Sequence, residues 1–218
     1  MEVRWLGRLG YAQAMALMEG LVAARQEGEG RDTLLLLEHT PVITLGRRAE
    51  TRHILAPADE LERRGVELRP STRGGQVTYH GPGQLVAYPV VRLEAGRQDV
   101  HRYLRDLEEA LIRLAAGYGV EAHRVPGRTG VWVGKDKLAS IGIRVSRWVT
   151  SHGVALNVAR DLSGFDLIVP CGLEDAGVTS LGRLLGWEPS LEEVALRLAP
   201  EMARLLGRSL HMPSRQPP

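Results

Sequence analysis

Lysine is almost absent from this chain of 218 residues, and cysteine and phenylalanine occur only once each. A single cysteine cannot form an internal disulfide, which agrees with a reducing compartment, and it cannot build a thiolate-rich zinc site. The seven histidines offer no alternative, because no two of them lie three to five residues apart, as metal ligands on one element usually do. The sequence therefore predicts no metal site and no disulfide framework.

Long hydrophobic runs and a strong charge bias are also missing. The longest apolar stretches, residues 34–37 and 85–91, are far shorter than the ~20 residues that span a bilayer. The first residues show no basic segment followed by an apolar one, so we expect no signal peptide and a cytoplasmic protein. A net charge of only +2 argues against a strong nucleic-acid footprint. We therefore expect neither a membrane nor a nucleic acid as partner.

Only two of the 28 basic residues are lysines, Lys135 and Lys137, and all the others are arginines. Genome base composition or a hot habitat would account for such a bias. Arginine does not lose its proton in a protein, however, whereas a lysine amine does so when its surroundings lower its pKa. A lysine retained against the bias is therefore a candidate for proton transfer, although chance retention explains either lysine taken alone equally well.

The hydrophobic pattern indicates more strands than helices, without regular alternation between them. Helical spacing or capping signals predict helices at residues 11–25, 58–64, 100–117 and 191–206, with Asp99 and Ser190 as caps. Strands are predicted at residues 3–6, 33–37, 41–45, 66–68, 76–79, 84–90, 130–133, 138–145 and 153–158, with an extended segment at 165–172.

These elements define an α+β fold. We expect a single domain over residues 1–212, with a mixed, mostly antiparallel β-sheet flanked by helices on one side. Residues 213–218 are expected to form a loose C-terminal tail. No repeat, low-complexity tract or long linker divides the chain.

The most unusual segment is residues 73–84, which read RGGQVTYHGPGQ. Its four glycines allow the backbone to approach a ligand closely, and they leave N–H groups free to line a pocket. The segment lacks the Gly-Lys-Ser/Thr ending of a P-loop and the spacing of the dinucleotide fingerprint. A tight hairpin is the plainer interpretation of the glycine content.

Three shorter segments carry further candidates. In residues 137–142, small side chains within a strand indicate close packing over that strand, although an edge strand with an exposed lysine gives the same pattern. The only cysteine, Cys171, lies at a strand-to-loop break that favours an exposed thiol, although a lone cysteine is usually an inert buried side chain. Residues 152–155 begin with His152, a weaker candidate because a lone histidine is more often structural.

Together these segments resemble one family, the octanoyltransferases of lipoate biosynthesis, which are relatives of the lipoate and biotin protein ligases. The similarity covers residues 73–84, 137–142, 152–155 and 170–172 in the order of the family, and these motifs show no departure from it. The resemblance implies a fold like that of the biotin and lipoate protein ligases.

The resemblance also implies the roles of individual residues. Cys171 matches the acyl-thioester nucleophile, and Lys137 matches the residue that activates it. A cysteine with a pKa of ~8.5 is mostly thiol at pH 7, so a neighbouring amine that takes its proton would make it reactive, whereas arginine could not. The segments matching those that hold the acyl substrate contain Arg73, Gly74, Gly75, Gln76, Val77, Thr78, Tyr79, His80, Ser140, Ile141, Gly142, Gly153, Val154 and Ala155.

The activity implied by the resemblance is transfer of an octanoyl group between two proteins. The donor would be octanoyl acyl carrier protein, and the acceptors would be lysines on the lipoyl domains of dehydrogenase complexes and on the glycine cleavage protein. A ping-pong route through a cysteine thioester would let each protein deliver its reactive arm in turn. No metal, nucleotide or organic cofactor is required, and we expect a monomer.

Two parts of the site stay open at this point. The oxyanion of each tetrahedral intermediate needs hydrogen-bond donors, and backbone N–H groups near Gly172 or in the loop of Gly74 and Gly75 are candidates. His80 would either assist directly or support the loop. An apolar slot for the acyl chain is expected from four side chains of the matched segments, Val77, Ile141, Val154 and Ala155.

Three alternatives compete with this interpretation. A lipoate–protein ligase shares the fold but adenylates a free acid with ATP and needs no cysteine nucleophile; we expect an acidic residue after the histidine there, where this chain has Gly81. A related octanoyl-handling amidotransferase is a second enzyme class. A non-catalytic protein that binds acyl carrier protein or lipoyl domains is the third, and the presence of both Cys171 and Lys137 argues against it.

Overall fold

The computed structural model describes residues 1–170 and 176–211. Its strands are β1 (Glu2–Leu9), β2 (Thr33–His39), β3 (Val42–Leu45), β4 (Glu67–Pro70), β5 (Val77–His80), β6 (Gln84–Val90), β7 (His123–Val125), β8 (Arg128–Val133), β9 (Asp136–Ser146) and β10 (Val149–Asn157). Its α-helices are α1 (Tyr11–Gln26), α2 (Ala58–Arg63), α3 (Val100–Gly117), α4 (Leu181–Leu185) and α5 (Leu191–Leu205), and 3-10 turns occupy Thr51–His53 and Ser163–Leu167. Within these described ranges, no helix is long and apolar enough to cross a membrane.

The strands form two sheets. The larger has the order β1-β2-β6-β10-β9-β8-β7, and only its β1–β2 pair is parallel. The smaller has the order β4-β3-β5, in which β3 runs parallel to β4 and antiparallel to β5. The predicted mixed and mostly antiparallel sheet is thus confirmed, whereas the separation of three strands into a second sheet was not foreseen.

Helices cover both faces of the larger sheet. Successive side chains of a strand point to opposite faces, and all seven residues of β2 are buried. Leu34 and Leu36 pack in one hydrophobic cluster with residues of α3 and α5, whereas Leu35 and Leu37 pack in another with residues of α1. The expectation of helices on one side only is therefore wrong, because a strand that is apolar on both faces requires a covering layer on each.

The helix capping signals are confirmed. The side chain of Asp99 accepts hydrogen bonds from the N–H groups of His101 (2.8 Å) and Arg102 (3.0 Å) at the start of α3. Ser190 accepts one from the N–H of Glu193 at 3.1 Å and begins α5.

One local prediction is wrong. The segment expected to be extended from residue 165 onward instead begins inside the 3-10 turn Ser163–Leu167, whose Phe165 and Leu167 are buried under the smaller sheet. Hydrophobic side chains in a short run do not distinguish a buried turn from a buried strand. The remainder of that prediction at residues 171–172, and the loose tail at 213–218, lie outside the described residues.

Candidate active site

A cavity lies where β5 of the smaller sheet faces β9 and β10 of the larger one. Its free volume is about 490 Å³, including the part open to solvent, which is within the range of small-molecule sites. The cavity is lined by Tyr11, Arg73, Gly75, Gln76, Thr78, His80, Tyr88, Ser140, Ile141, Gly142, His152, Gly153, Val154 and Ala155.

The sheet register explains why three sequence segments meet here. Strands β9 and β10 pair antiparallel, with Gly142 opposite Gly153 and Ser140 opposite Ala155. Residues 140–142 and 153–155 therefore form one continuous wall. The loop before β5 lies against this wall, since the N–H of Gly74 donates to the carbonyl of Ile143 at 3.0 Å.

Eleven of the fourteen predicted acyl-binding residues line the cavity, and three do not. Val77 and Tyr79 alternate with Thr78 and His80 along β5 and therefore point to the other face, where they pack with Phe165 and its neighbours. Val77 is thus not part of an apolar slot. Gly74 uses its N–H to bind β9, so this N–H is not available as an oxyanion donor.

Glycine is required where the loop and strands touch. A Cβ on Gly142 would lie 2.9 Å from Cδ of Arg73, and one on Gly153 would meet the carbonyl oxygen of Ala87 and lie 2.7 Å from Cδ of Pro89. These distances are too short for any real side chain. The small residues in the matched segments therefore allow the backbones to approach closely and form the narrow wall.

Arg73 joins the glycine-rich loop to strand β3 of the smaller sheet beside the cavity. Its guanidinium donates to the carbonyl and hydroxyl oxygens of Thr44, both at 2.8 Å, and to the carbonyl of Gln76 at 2.9 Å. The residue is only 8% exposed. It therefore places a permanent positive charge beside the space where substrate would bind.

Three histidines near the cavity are neutral at pH 7. Burial lowers the pKa of His39 to about 4, that of His80 to about 3 and that of His152 to about 4. Nearby Arg73 further lowers the pKa of His80 and His152. His80 binds Gln84 at 2.7 Å, His152 binds the hydroxyl of Thr72 at 3.0 Å, and His39 binds the hydroxyl of Tyr88 at 2.8 Å.

Lys137 and Lys135 differ sharply in environment. Lys135 is exposed, whereas Lys137 lies in β9 with 5% of its surface accessible. The Nζ atom of Lys137 lies 4.9 Å from the centre of the Trp132 indole, which is itself buried. Lys137 does not line the cavity directly but precedes the wall residue Ser140 by three positions.

Cys171 and Gly172 lie outside the described residues, so the structure tests neither assignment. The chain before them is attached by Val169, whose N–H donates to the carbonyl of His53 at 2.8 Å. The chain after them returns to Lys137, since the N–H of Lys137 donates to Gly177 at 2.9 Å and its carbonyl accepts from Thr179 at 3.0 Å. The segment that follows Cys171 therefore pairs with the backbone of Lys137.

Sequence reasoning missed two cavity residues. Tyr11 begins α1, and its hydroxyl donates to Ser71 at 2.9 Å. Tyr88 lies in the buried strand β6, where its hydroxyl meets His39. Tyr88 belongs to a hydrophobic run and Tyr11 to a helix with apolar spacing, and both patterns indicate core rather than a site. Only the three-dimensional structure shows that these two residues line the cavity.

Comparison with known proteins identifies close relatives. An octanoyltransferase of Chloroflexus aurantiacus is 52% identical over 210 residues, which cover 95% of this chain and 94% of the relative. An octanoyltransferase of Solibacter usitatus is 53% identical over 203 residues, covering 93% and 91%.

Solved structures show the same fold. A lipoate protein ligase from T. acidophilum with bound lipoic acid, described as putative, superposes with a TM-score of 0.75 at 19% identity, covering 98% of this chain and 89% of that one. Lipoate-protein ligase A bound with ATP gives a TM-score of 0.75 at 17% identity, covering 99% and 90%. Residues 10–203 match the family described as lipoyl protein ligase A/B catalytic domain. By this match and these relatives, the chain belongs to the lipoyl protein ligase A/B catalytic domain family.

Proposed function

We propose that this protein is an acyltransferase of lipoate biosynthesis that moves an octanoyl group from octanoyl acyl carrier protein to the lysine amine of lipoyl domains, through a thioester on Cys171. The observation that carries the proposal is the convergence of eleven residues, from three matched segments, around one cavity whose wall strand also holds the buried Lys137. Relatives about 50% identical over most of their length are named octanoyltransferases, which supports the same conclusion.

In the first half-reaction the Sγ of Cys171 attacks the thioester carbonyl of the donor. Lys137 accepts the thiol proton, the bond from carbonyl carbon to pantetheine sulfur breaks, and the proton passes to the departing thiolate. This step needs an amine that can be neutral and then charged, which lysine provides and arginine does not. The buried position of Lys137, with its ammonium over the Trp132 ring, supports a fixed location for that amine.

In the second half-reaction the acceptor amine attacks the acyl-enzyme. The new bond joins nitrogen to the carbonyl carbon and the bond to Sγ breaks. Lys137 takes the proton that the amine loses and passes it to the departing Sγ, which restores the Cys171 thiol and the neutral amine. Ala155, which packs with Tyr88 and residues of α1, is the apolar side chain proposed to contact the octanoyl chain, whereas the side chains of Ile141 and Val154 pack with residues of α3 and α5 on the other face of the sheet. Because Gly74 is engaged by β9, we assign the oxyanion donors to the N–H groups of Gly75 and Gly172.

The proposed function also specifies the acceptor proteins, the cellular compartment and the oligomeric state. The acceptors are the lipoyl domains of dehydrogenase complexes and the glycine cleavage protein, and a reactive single thiol suits the reducing cytoplasm. We propose a monomer in which residues 1–212 form one catalytic domain.

Intact-mass measurement of the purified protein tests this function. Incubation with octanoyl acyl carrier protein should add one octanoyl group to Cys171, and an apo lipoyl domain should then remove it in the absence of ATP. The Cys171→Ser variant should form no adduct that the lipoyl domain can discharge. Modification of the lipoyl domain only from free octanoate and ATP would instead establish the ligase activity and reject the transferase.

A further inference from the structure

A chain of hydrogen bonds runs behind the cavity wall and begins at a backbone carbonyl. The Nδ2 atom of Asn157 donates to the carbonyl of Thr179 at 3.0 Å. A carbonyl oxygen can only accept, so the amide of Asn157 has one allowed orientation, with Oδ1 turned toward Gln84. The chain is anchored beside Lys137, since the N–H of Thr179 donates to the carbonyl of Lys137.

The next amide in the chain is fixed in the same way. The Nε2 atom of Gln84 donates to Oδ1 of Asn157 at 2.9 Å and to the carbonyl of Tyr79 at 3.3 Å. Both partners are acceptors, so Gln84 must present Oε1 to His80, whose Nδ1 lies 2.7 Å away. Nδ1 of His80 therefore carries a hydrogen and donates it.

The hydrogen on Nδ1 determines whether Nε2, the other ring nitrogen of His80, carries a hydrogen. Burial and the neighbouring His39 and Arg73 lower the pKa of His80 to about 3, so its ring is neutral at pH 7 and Nε2 is an unprotonated acceptor. Among the described residues, Nε2 has no hydrogen-bond partner, and the ring lines the cavity. Gln84 and Asn157 do not line the cavity. Gln84 contacts the cavity-lining His80, whereas Asn157 contacts Gln84 on one side and Thr179, next to the backbone of Lys137, on the other.

We propose that Gln84 and Asn157 are positioning residues that lock His80 in its Nδ1–H form, so that Nε2 accepts a hydrogen bond from the attacking amine of the acceptor lysine. The inference rests on the proposed function. A thioester carbonyl can only accept hydrogen bonds, so a bare Nε2 cannot stabilise its oxyanion. The acceptor amine carries N–H groups, and an acceptor held at a fixed position orients its lone pair toward the thioester carbon. His80 therefore belongs to the second half-reaction.

The tautomer is measured directly, and independently of any activity, by ¹⁵N NMR of the imidazole rings in the wild-type protein at pH 7. The His80 signals are assigned by their absence from the spectrum of the His80→Gln variant. We expect a protonated Nδ1 and an unprotonated Nε2. The opposite tautomer, or a ring protonated on both nitrogens, would overturn the proposal.

The Gln84→Met variant tests the functional role, because methionine has a similar length but cannot fix the ring. We expect discharge of the octanoyl adduct by apo lipoyl domain to slow by about tenfold or more, while formation of the adduct changes by less than about threefold. Gln98→Met, at an exposed position away from the cavity, should alter neither step.

Equal losses in both half-reactions, or an unchanged discharge rate, would reject the positioning role. In Gln84→Met the His80 signals should show a mixture of tautomers, and a ring still held in the Nδ1–H form would likewise contradict it. Failure of the wild-type protein to form any adduct would refute the proposed function and the amine contact together. The wild-type tautomer would still be decided by its own spectrum.

Discussion

Lys135 and Lys137 lie two residues apart, but their side chains have different surroundings. The side chain of Lys135 points into solvent, whereas that of Lys137 is buried, with Cε and Nζ close to Gly130 and Nζ over the Trp132 ring. Both would keep a positive charge as arginine. Only the buried one pairs through its backbone with the segment that follows Cys171, and we therefore propose the proton transfer for Lys137 and not for Lys135.

We expect Lys137→Arg to lower the rate of octanoyl transfer by roughly 10² to 10⁴, the range that general acid–base catalysis provides. The matched control Lys135→Arg should transfer at the wild-type rate. Both rates are measured with octanoyl acyl carrier protein and apo lipoyl domain, together with the melting temperature, because an arginine at 137 must fit beside Gly130. A folded Lys137→Arg protein with wild-type turnover would eliminate the proton-transfer role.

Gly153 is a second residue at which the structure leaves no freedom. It pairs with Gly142, and an added Cβ would collide with the backbone of Ala87, which cannot yield as a flexible side chain would. We expect Gly153→Ala to lower the free energy of unfolding by about 1–3 kcal/mol. Gly20→Ala is the control, because Gly20 is exposed within α1 with no atom near its missing Cβ, and it should stabilise by about 0.5–1 kcal/mol. Chemical denaturation of both variants measures whether the free energy of unfolding falls in Gly153→Ala and rises in Gly20→Ala.

At the scale of elements, α5 depends on a cap that the sequence already indicated. The hydroxyl of Ser190 satisfies the N–H of Glu193, one of the four amide groups that a helix leaves without an internal partner at its start. We expect Ser190→Ala to lower the free energy of unfolding by about 1 kcal/mol. Ser209→Ala, at an exposed position outside any helix, should have little effect. Equal denaturation midpoints for the two variants would mean that the cap contributes nothing.

The helices with capping signals and strong apolar spacing were predictable because capping and spacing are local. The hairpin between β9 and β10, in contrast, could not be predicted from local sequence signals. It turns at Arg147 and Trp148, whose φ angles are 48° and 58°, a conformation in which asparagine and glycine are the usual residues. The turn is imposed by the pairing of the two long strands rather than by its own residues. Likewise, nothing local separates β3, β4 and β5 from the larger sheet.

The part of the candidate site that lies within the matched sequence motifs could be predicted. The glycine-rich segment and the two strand segments do meet at one cavity, but the alternation along β5 that removes Val77 and Tyr79 from it depends on which face the sheet buries. Tyr11 and Tyr88 reach the cavity from a helix start and a buried strand, where hydrophobic pattern gives no hint of function. Their inclusion depends on packing between distant segments.

At the scale of the whole molecule, the three buried histidines near the cavity make the free energy of unfolding depend on pH. His39, His80 and His152 come from three strands, β2, β5 and β10, and the ring of His39 lies 5.7 Å from that of His80. Folding places all three where protonation is unfavourable, because burial lowers each pKa to about 3 or 4. In the unfolded chain a histidine has a pKa of about 6.5.

This difference fixes the sign of the pH dependence. Between about pH 4 and pH 6.5 the unfolded chain binds protons at these rings and the folded protein does not, so acid favours unfolding. The contribution of these rings to the free energy of unfolding is therefore largest above pH 6.5. It falls as the pH drops below 6.5, by about 2 kcal/mol for each ring at pH 5. Carboxylates that titrate near pH 4 contribute mainly below this window.

We expect the melting temperature to fall steadily from pH 7 to pH 5, with the unfolding reaction taking up protons over that range. Calorimetric unfolding at several pH values, repeated in buffers with different enthalpies of ionisation, measures both quantities. His123→Gln provides the control, because this exposed side chain lies outside the cluster and its removal should leave the slope unchanged. A melting temperature that stays constant between pH 7 and pH 5, without proton uptake, would show that the three rings are protonated equally in the folded and unfolded states. The neutral ring on which the proposed amine contact of His80 depends would then be excluded as well.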